Sequence, residues 1–159
     1  MIVVGDSSVL IALQRVDAWT LLPRLYGEVH VPDAVWLEVF SPRTDGRQPS
    51  PPSWLVRHPP HPVSQAVPWI EPLDPGETEA ILLARELPAD LLLIDETAGR
   101  RVARRLGLRV TGVVGVLLDA KRRGEITSVA AHLGRLRDAG FWLSGELVTH
   151  ALREAGEST

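Results

Sequence analysis

The chain reads as an α/β fold on a mainly parallel sheet, and three observations carry that reading. Apolar runs of strand length at 2–6, 28–31, 91–94 and 108–111 alternate with segments of helical periodicity. The helical segments open on Ser, Asp or Pro and several close on Gly, the residues that cap and stop helices. Four acids, Asp6, Glu38, Glu77 and Asp95, each fall where a strand ends or on a helix that follows one. In an open parallel sheet the carboxyl ends of the strands border the ligand crevice.

The elements follow in order. Residues 2–6 are short, β-branched and closed by Gly5-Asp6-Ser7-Ser8, a buried strand running into a helix that Ser7 or Ser8 can cap. That helix holds Val9, Leu10, Ile11 and Leu13. A second helix is expected from about Asp17 to Tyr26, stopping at Gly27. Glu28 to Val31 is a short strand. Pro32 sits at a helix start, where its missing N–H costs nothing, and the helix from Asp33 to about Phe40 turns Val35, Trp36 and Val39 inward.

Residues 41–66 carry seven prolines (42, 49, 51, 52, 59, 60 and 62) and little periodicity. A long loop, or one short irregular helix around Trp54, is expected there. Val67 to Leu73 reads as an edge strand, with Pro68 and Pro72 at its margins. Asp74 reads as an N-cap and Pro75 as the first helical residue of a helix reaching Leu87. Leu91 to Ile94 is the clearest buried strand. A helix from about Thr97 to Leu106 ends at Gly107, and Leu108 to Thr111 is a further strand. Helices are then expected through Gly115 to Arg123, at 127–139 and at 144–155. No internal repeat interrupts the pattern, so the expectation is one domain over 1–159, with C-terminal helices at about 127–155.

The 159 residues suffice for a proper core. No run of eighteen apolar residues exists, and the start lacks a basic segment, so neither a spanning helix nor a signal peptide is expected. The absence of cysteine excludes disulfides and thiolate metal sites. A cytoplasmic enzyme or binding domain is the expectation. A net charge of −3 argues against a purely electrostatic nucleic-acid binder. It leaves room for a nuclease whose acids are neutralised by metal. The five histidines show no i,i+4 pairing, and no phosphate-binding glycine motif appears.

Carboxylates gathered at one crevice repel one another unless protonated or bridged by a cation. Hard divalent cations such as Mg²⁺ take oxygen ligands, so the set points to metal-assisted chemistry on a phosphate ester. Each acid has a plainer role open to it. Asp6 suits a turn or cap, and Glu38 a solvated helix face. Glu77 suits a first-turn acid at capping-box spacing from Asp74. Glu79 lies about 200° around the helix from Glu77, so the two do not share one ligand role. Glu96, beside Asp95, points to solvent or reaches a metal through water. Ser7 and Ser8 offer hydroxyls that orient a carboxylate or a water. Like charges in the empty cluster are expected to raise at least one pKa, at Asp6 or Asp95. The arginines at 100, 101, 104 and 105 suit a solvated helix face, with Arg100 placed to reach the crevice and hold phosphate.

In this order the motifs resemble a PIN-domain protein of the bacterial and archaeal type related to the toxin subunits of toxin–antitoxin pairs. The segments that carry the resemblance are Val4-Gly5-Asp6-Ser7-Ser8-Val9-Leu10-Ile11, Val31 to Val39, Asp74 to Ile81, and Leu92-Leu93-Ile94-Asp95-Glu96-Thr97-Ala98-Gly99-Arg100. Gly76-Glu77-Thr78-Glu79-Ala80 and the stretch from Thr111 to Leu117 fit a branch with a GExEA helix. The match covers nearly all of residues 1–140.

The resemblance implies a three-layer α/β/α sandwich with a five-stranded parallel sheet. It implies a metal-dependent single-strand ribonuclease using Mg²⁺ or Mn²⁺ held by three or four acids. Asp6 matches the first-strand acid, Glu38 the helix acid and Asp95 the acid after the fourth strand. The third acid falls at Glu77, with Glu79 as the alternative. The family position two residues before the last acid, often Thr or Ser, is Leu93 here. RNA as substrate, Arg100 as an RNA contact, an antitoxin protein as partner and a homodimer are implied in the same way. Two other functions stand beside this one: a non-catalytic PIN-fold module that binds protein, and a receiver-like phosphorylation switch. A receiver wants two adjacent acids after the first strand and a lysine after the last, whereas Asp6 precedes two serines and Lys121 lies late in a helix.

Overall fold

A computed structural model describes residues 1–42, 44, 46, 50–60 and 72–157. Among these residues the five strands are β1 (Val3–Gly5), β2 (Val29–Pro32), β3 (Leu55–His58), β4 (Leu91–Leu93) and β5 (Val110–Thr111). The helices are α1 (Ser7–Arg15), α2 (Leu21–Tyr26), α3 (Asp33–Val39), α4 (Pro75–Glu86), α5 (Thr97–Arg105), α6 (Val113–Arg122), α7 (Val129–Asp138) and α8 (Gly145–Glu154). All strand pairs are parallel, in the order β3-β2-β1-β4-β5.

Successive strand residues point to opposite faces. Val3, Val4, Leu92 and Leu93 are all fully buried, so helices cover both faces of the central strands. Helix α4 lies against β1, β2 and β4, while α6 packs with α1, α2 and β5. This is the α/β/α arrangement expected. Among the described residues no helix is long and apolar enough to cross a membrane.

The strand order fixes where a ligand can go. The chain steps outward from β1 to β2 to β3, then returns to lay β4 on the other side of β1. The crevice of a doubly wound sheet opens at such a reversal, outside the carboxyl ends of the strands. Here it lies between β1 and β4, whose ends carry Asp6 and Asp95. The backbone ties them directly: Asp6 N–H donates to Leu93 O at 2.8 Å. A receiver would have the order 2-1-3-4-5 instead, and that alternative is set aside.

Several local expectations are corrected. The third strand is Leu55–His58, inside the segment read as loop or irregular helix. Among the described residues it pairs only with β2 and forms the edge of the sheet, where flanking prolines at 51, 52, 59 and 60 cost no ladder bond. Of the stretch read as an edge strand, 67–73, residues 67–71 lie outside the described residues, and 72 and 73 are not in a strand. The helix expected from Asp17 begins at Leu21, because Asp17 adopts a left-handed turn (φ 54°) closed by its N–H on Gln14 O. Helix α1 is capped by Asp6, not by a serine: its carboxylate accepts from Ser8 N at 3.5 Å and from Ser8 Oγ at 2.9 Å.

Candidate active site

Asp6, Glu38, Glu77 and Asp95 line one cavity of about 350 Å³ at the carboxyl edge of the sheet. Ser7, Ser8, Asp74 and Glu96 join them on the polar side, and Leu136, Phe141, Trp142 and Leu143 form an apolar wall.

Each acid is brought in by a different element. Asp6 ends β1 and is buried, 1% exposed. Its Oδ2 is occupied by Ser8, while Oδ1 is, among the described residues, a buried side-chain atom with no hydrogen-bond partner. Ser8 also reaches across the switch point, for its Oγ accepts from Asp95 N at 3.2 Å. One hydroxyl therefore sets the spacing of the two central acids. Ser7 does the same for the helix acid: its Oγ donates to Glu38 Oε2 at 2.7 Å. Asp95 is held at the α6 N-terminus, accepting from Val113 N at 3.3 and 3.4 Å, with Arg100 Nη1 at 3.8 Å from its Oδ1.

Two glycines make room for these carboxylates. A Cβ on Gly76 would overlap Glu38 Oε1, and a Cβ on Gly112 would overlap Asp95 Oδ1. The acids rest on bare backbone, a close approach that only glycine permits.

Burial pushes the Asp6 carboxyl up to about 6, against the pull of its bonds to Ser8 and with a small push from Asp74. Glu77 is raised to about 7, first by burial, then by the neighbouring Asp74 carboxylate and a hydrogen bond with it, and by the charges of Asp6 and Glu96. Asp95 is raised as well, by burial, with Val113 N–H and Arg100 opposing; its side chain stays 40% exposed, so water moderates the effect. Raised pKa values were expected from mutual repulsion. They are present, but desolvation is the leading cause, and Glu77 joins the two residues named.

Glu79 lies elsewhere. Its Oε2 accepts from Ala34 N at 3.0 Å, so it ties α4 to the first turn of α3. Asp74 was read only as an N-cap. It is one, accepting from Glu77 N at 2.7 Å, and it also lines the cavity. The aromatic wall at 141–143 was missed; no periodicity links a turn after α7 to a strand end more than a hundred residues earlier.

A divalent cation fits this donor set. The ligands are hard oxygens, one central carboxylate oxygen is buried and unpartnered, and the titrating carboxyls give up protons near neutrality. Among the described residues no three carboxylate or imidazole side chains are gathered closely enough to hold a metal ion together. Mg²⁺ does not need such a group, because it keeps several waters and takes one or two carboxylates.

Grooves extend the cavity on two sides. Beyond Asp95 lies one lined by Thr97 and Arg100, Arg101, Arg104 and Arg105. Beyond Glu38 and Ile11 lies one lined by Gln14, Arg15, Ser41 and Thr44.

A family model described as a PIN domain matches residues 2–157. Comparison with curated proteins and with solved structures gives no match.

Proposed function

The chain belongs to the PIN-domain family, a nuclease-type fold that commonly uses divalent metals, and on that footing we propose that it is a metal-dependent single-strand endoribonuclease. The observation that carries the reading is the unpartnered, buried Asp6 Oδ1 at the centre of a carboxylate-lined crevice at the switch point. Folding alone gives no reason to bury that atom unpaired.

Asp6 and Asp95 would hold the cation directly, with Glu38, Glu77 and Asp74 around them. Polarisation of the phosphodiester and acidification of a water are what Mg²⁺ or Mn²⁺ supplies there when bound. The chain's own residues do the rest. Ser7 and Ser8 fix the carboxylates in place, so little reorganisation is left for binding. Glu77, its carboxyl pushed up to about 7 by burial and by the Asp74 carboxylate beside it, is placed to accept a proton inside the crevice. Arg100 stands at the entrance to the arginine-lined groove, where the next phosphate along the strand would lie.

The finer part of the proposal is a toxin acting on RNA, partnered by an antitoxin and working as a homodimer. A short neighbouring gene encoding a DNA-binding protein would support it. The direct test is cleavage of single-stranded RNA by the purified chain with Mg²⁺ or Mn²⁺, against chelator and against Asp6→Asn. Metal-dependent cleavage lost in Asp6→Asn supports a nuclease. Metal binding without cleavage favours the non-catalytic module.

A further inference from the structure

Trp142 is 86% exposed, yet it lines the carboxylate cavity. A single exposed apolar side chain on a surface is ordinary. One that forms the wall of a crevice opposite clustered acids is placed to meet a ligand.

The segment that bears it is fixed at both ends. Just past the end of α7, Gly140 turns the chain with a left-handed φ of 95°, and Phe141 N–H closes on Leu136 O at 3.0 Å. Helix α8 is capped by Ser144, whose hydroxyl accepts from Leu147 N at 3.1 Å. Between them Phe141 packs against the core with the Arg15 guanidinium over its ring, 5.7 Å from the centroid. Trp142 is thus held out on a short strap, and little ordering remains to be done when something lies against it.

We propose that Trp142 is a stacking platform for one unpaired nucleobase beside the phosphodiester in the carboxylate site; this rests on the nuclease reading above. Of the parts of a nucleotide, only the base is flat and uncharged, so only the base suits an apolar wall facing carboxylates. The strand's other phosphates have the arginine-lined groove beyond Asp95 to follow. An indole stacks on any base, more extensively on a two-ring purine, and cannot reach one whose faces are covered in a duplex. The strap therefore selects for single strands, and for a purine at one position next to the cut.

The test uses the full chain, Trp142→Ala and Trp142→Phe. Short single-stranded RNAs carrying a purine, a pyrimidine or an abasic residue at one position are cleaved with Mn²⁺. Trp fluorescence is titrated separately with the same RNAs in chelator. Stacking on one base is worth roughly 5- to 150-fold. Trp142→Ala should lose about that factor in kcat/KM on the purine RNA and almost nothing on the abasic one, with Trp142→Phe recovering part. The Mn²⁺-induced rise in Tm should not change. Parent fluorescence should be quenched by single-stranded RNA, less by duplex, and the quench should vanish in Trp142→Ala. Equal loss on purine and abasic RNAs, or fluorescence indifferent to RNA, overturns the proposal and leaves Trp142 as a protein contact. Quenching without any cleavage by the parent would keep the platform and defeat the nuclease reading.

Discussion

The Glu38 carboxylate lies against the Cα of Gly76, in the space that a side chain at position 76 would fill. Helix propensity alone says that Gly76→Ala should stabilise α4 by up to about 1 kcal/mol. The contact says that the new methyl drives Glu38 out of the crevice. We predict that Gly76→Ala cuts metal-dependent cleavage at least roughly tenfold, the cost of displacing one group by about 1 Å or more, and shrinks the Mn²⁺-induced rise in Tm. In a Glu38→Ala background the same substitution should become stabilising. Thermal melts of the four chains in the cycle decide it, and an unimpaired Gly76→Ala would refute the contact.

Asp6→Asn should separate stability from function. The folded chain carries Asp6 buried with a pKa near 6, so at pH 8 in chelator its charge is a liability. Removing it should raise Tm there. It should also abolish most cleavage and remove most of the Mn²⁺-induced Tm rise, since Asn keeps the shape without the charge. Asp95→Asn should abolish cleavage too, with a smaller gain in Tm because its side chain is 40% exposed. A metal response in Asp6→Asn equal to the parent's would place the cation elsewhere.

The metal-free chain should lose stability as pH rises. Asp6 and Glu77 bind protons more tightly folded than unfolded, with folded values of about 6 and about 7. Their contribution is complete below about pH 4, near the unfolded values, and is lost as pH climbs through 6 and 7. For Asp6, pushed up from 3.8 to about 6, this is on the order of 3 kcal/mol. A cation competes with those protons, so its stabilisation should be larger at pH 8 than at pH 5.5. Melts across pH with and without Mn²⁺ measure both slopes. A metal-free Tm that increases from pH 5 to pH 8 would contradict the buried, raised carboxyls.

Glu77→Gln and Glu79→Gln should fail differently. Glu77 lines the cavity, whereas Glu79 caps the first turn of α3 through Ala34 N. Glu77→Gln should impair cleavage and raise Tm in chelator at pH 8. Glu79→Gln should cost about 1 kcal/mol of stability, as a weakened cap does, and leave cleavage near the parent's. Urea melts and cleavage rates on the same preparations test the contrast. Equal damage to cleavage from both would break the assignment.

Arg100→Ala should weaken RNA binding and flatten its salt dependence by about one counterion, as expected for one phosphate contact. Arg100 also stands 3.8 Å from Asp95, so the variant should leave metal binding nearly intact while Asp95 titrates slightly higher. Binding isotherms at several salt concentrations supply the slope; an unchanged slope would remove Arg100 from the RNA path.

The sequence by itself determined the alternation of strands and helices, the buried β1 and β4, and the acids at their ends. Those are local matters: apolar runs of strand length, cap residues, glycine stops. Helical geometry also put Glu77 and Glu79 on different faces, while leaving open which of them belongs to the crevice. The sequence did not determine β3, since a four-residue edge strand flanked by prolines carries too little period to outweigh them, and only pairing with β2 makes it a strand. Nor did it show that His30 Nδ1 and His58 Nε2 would meet at 2.8 Å across that pairing. Tertiary structure alone decided that Ser8 bridges Asp6 and Asp95, that Asp74 belongs to the crevice, and that a strap after α7 walls it with Trp142. Each of these joins residues far apart in the chain, and such contacts exist only once the sheet order β3-β2-β1-β4-β5 has brought them to one edge.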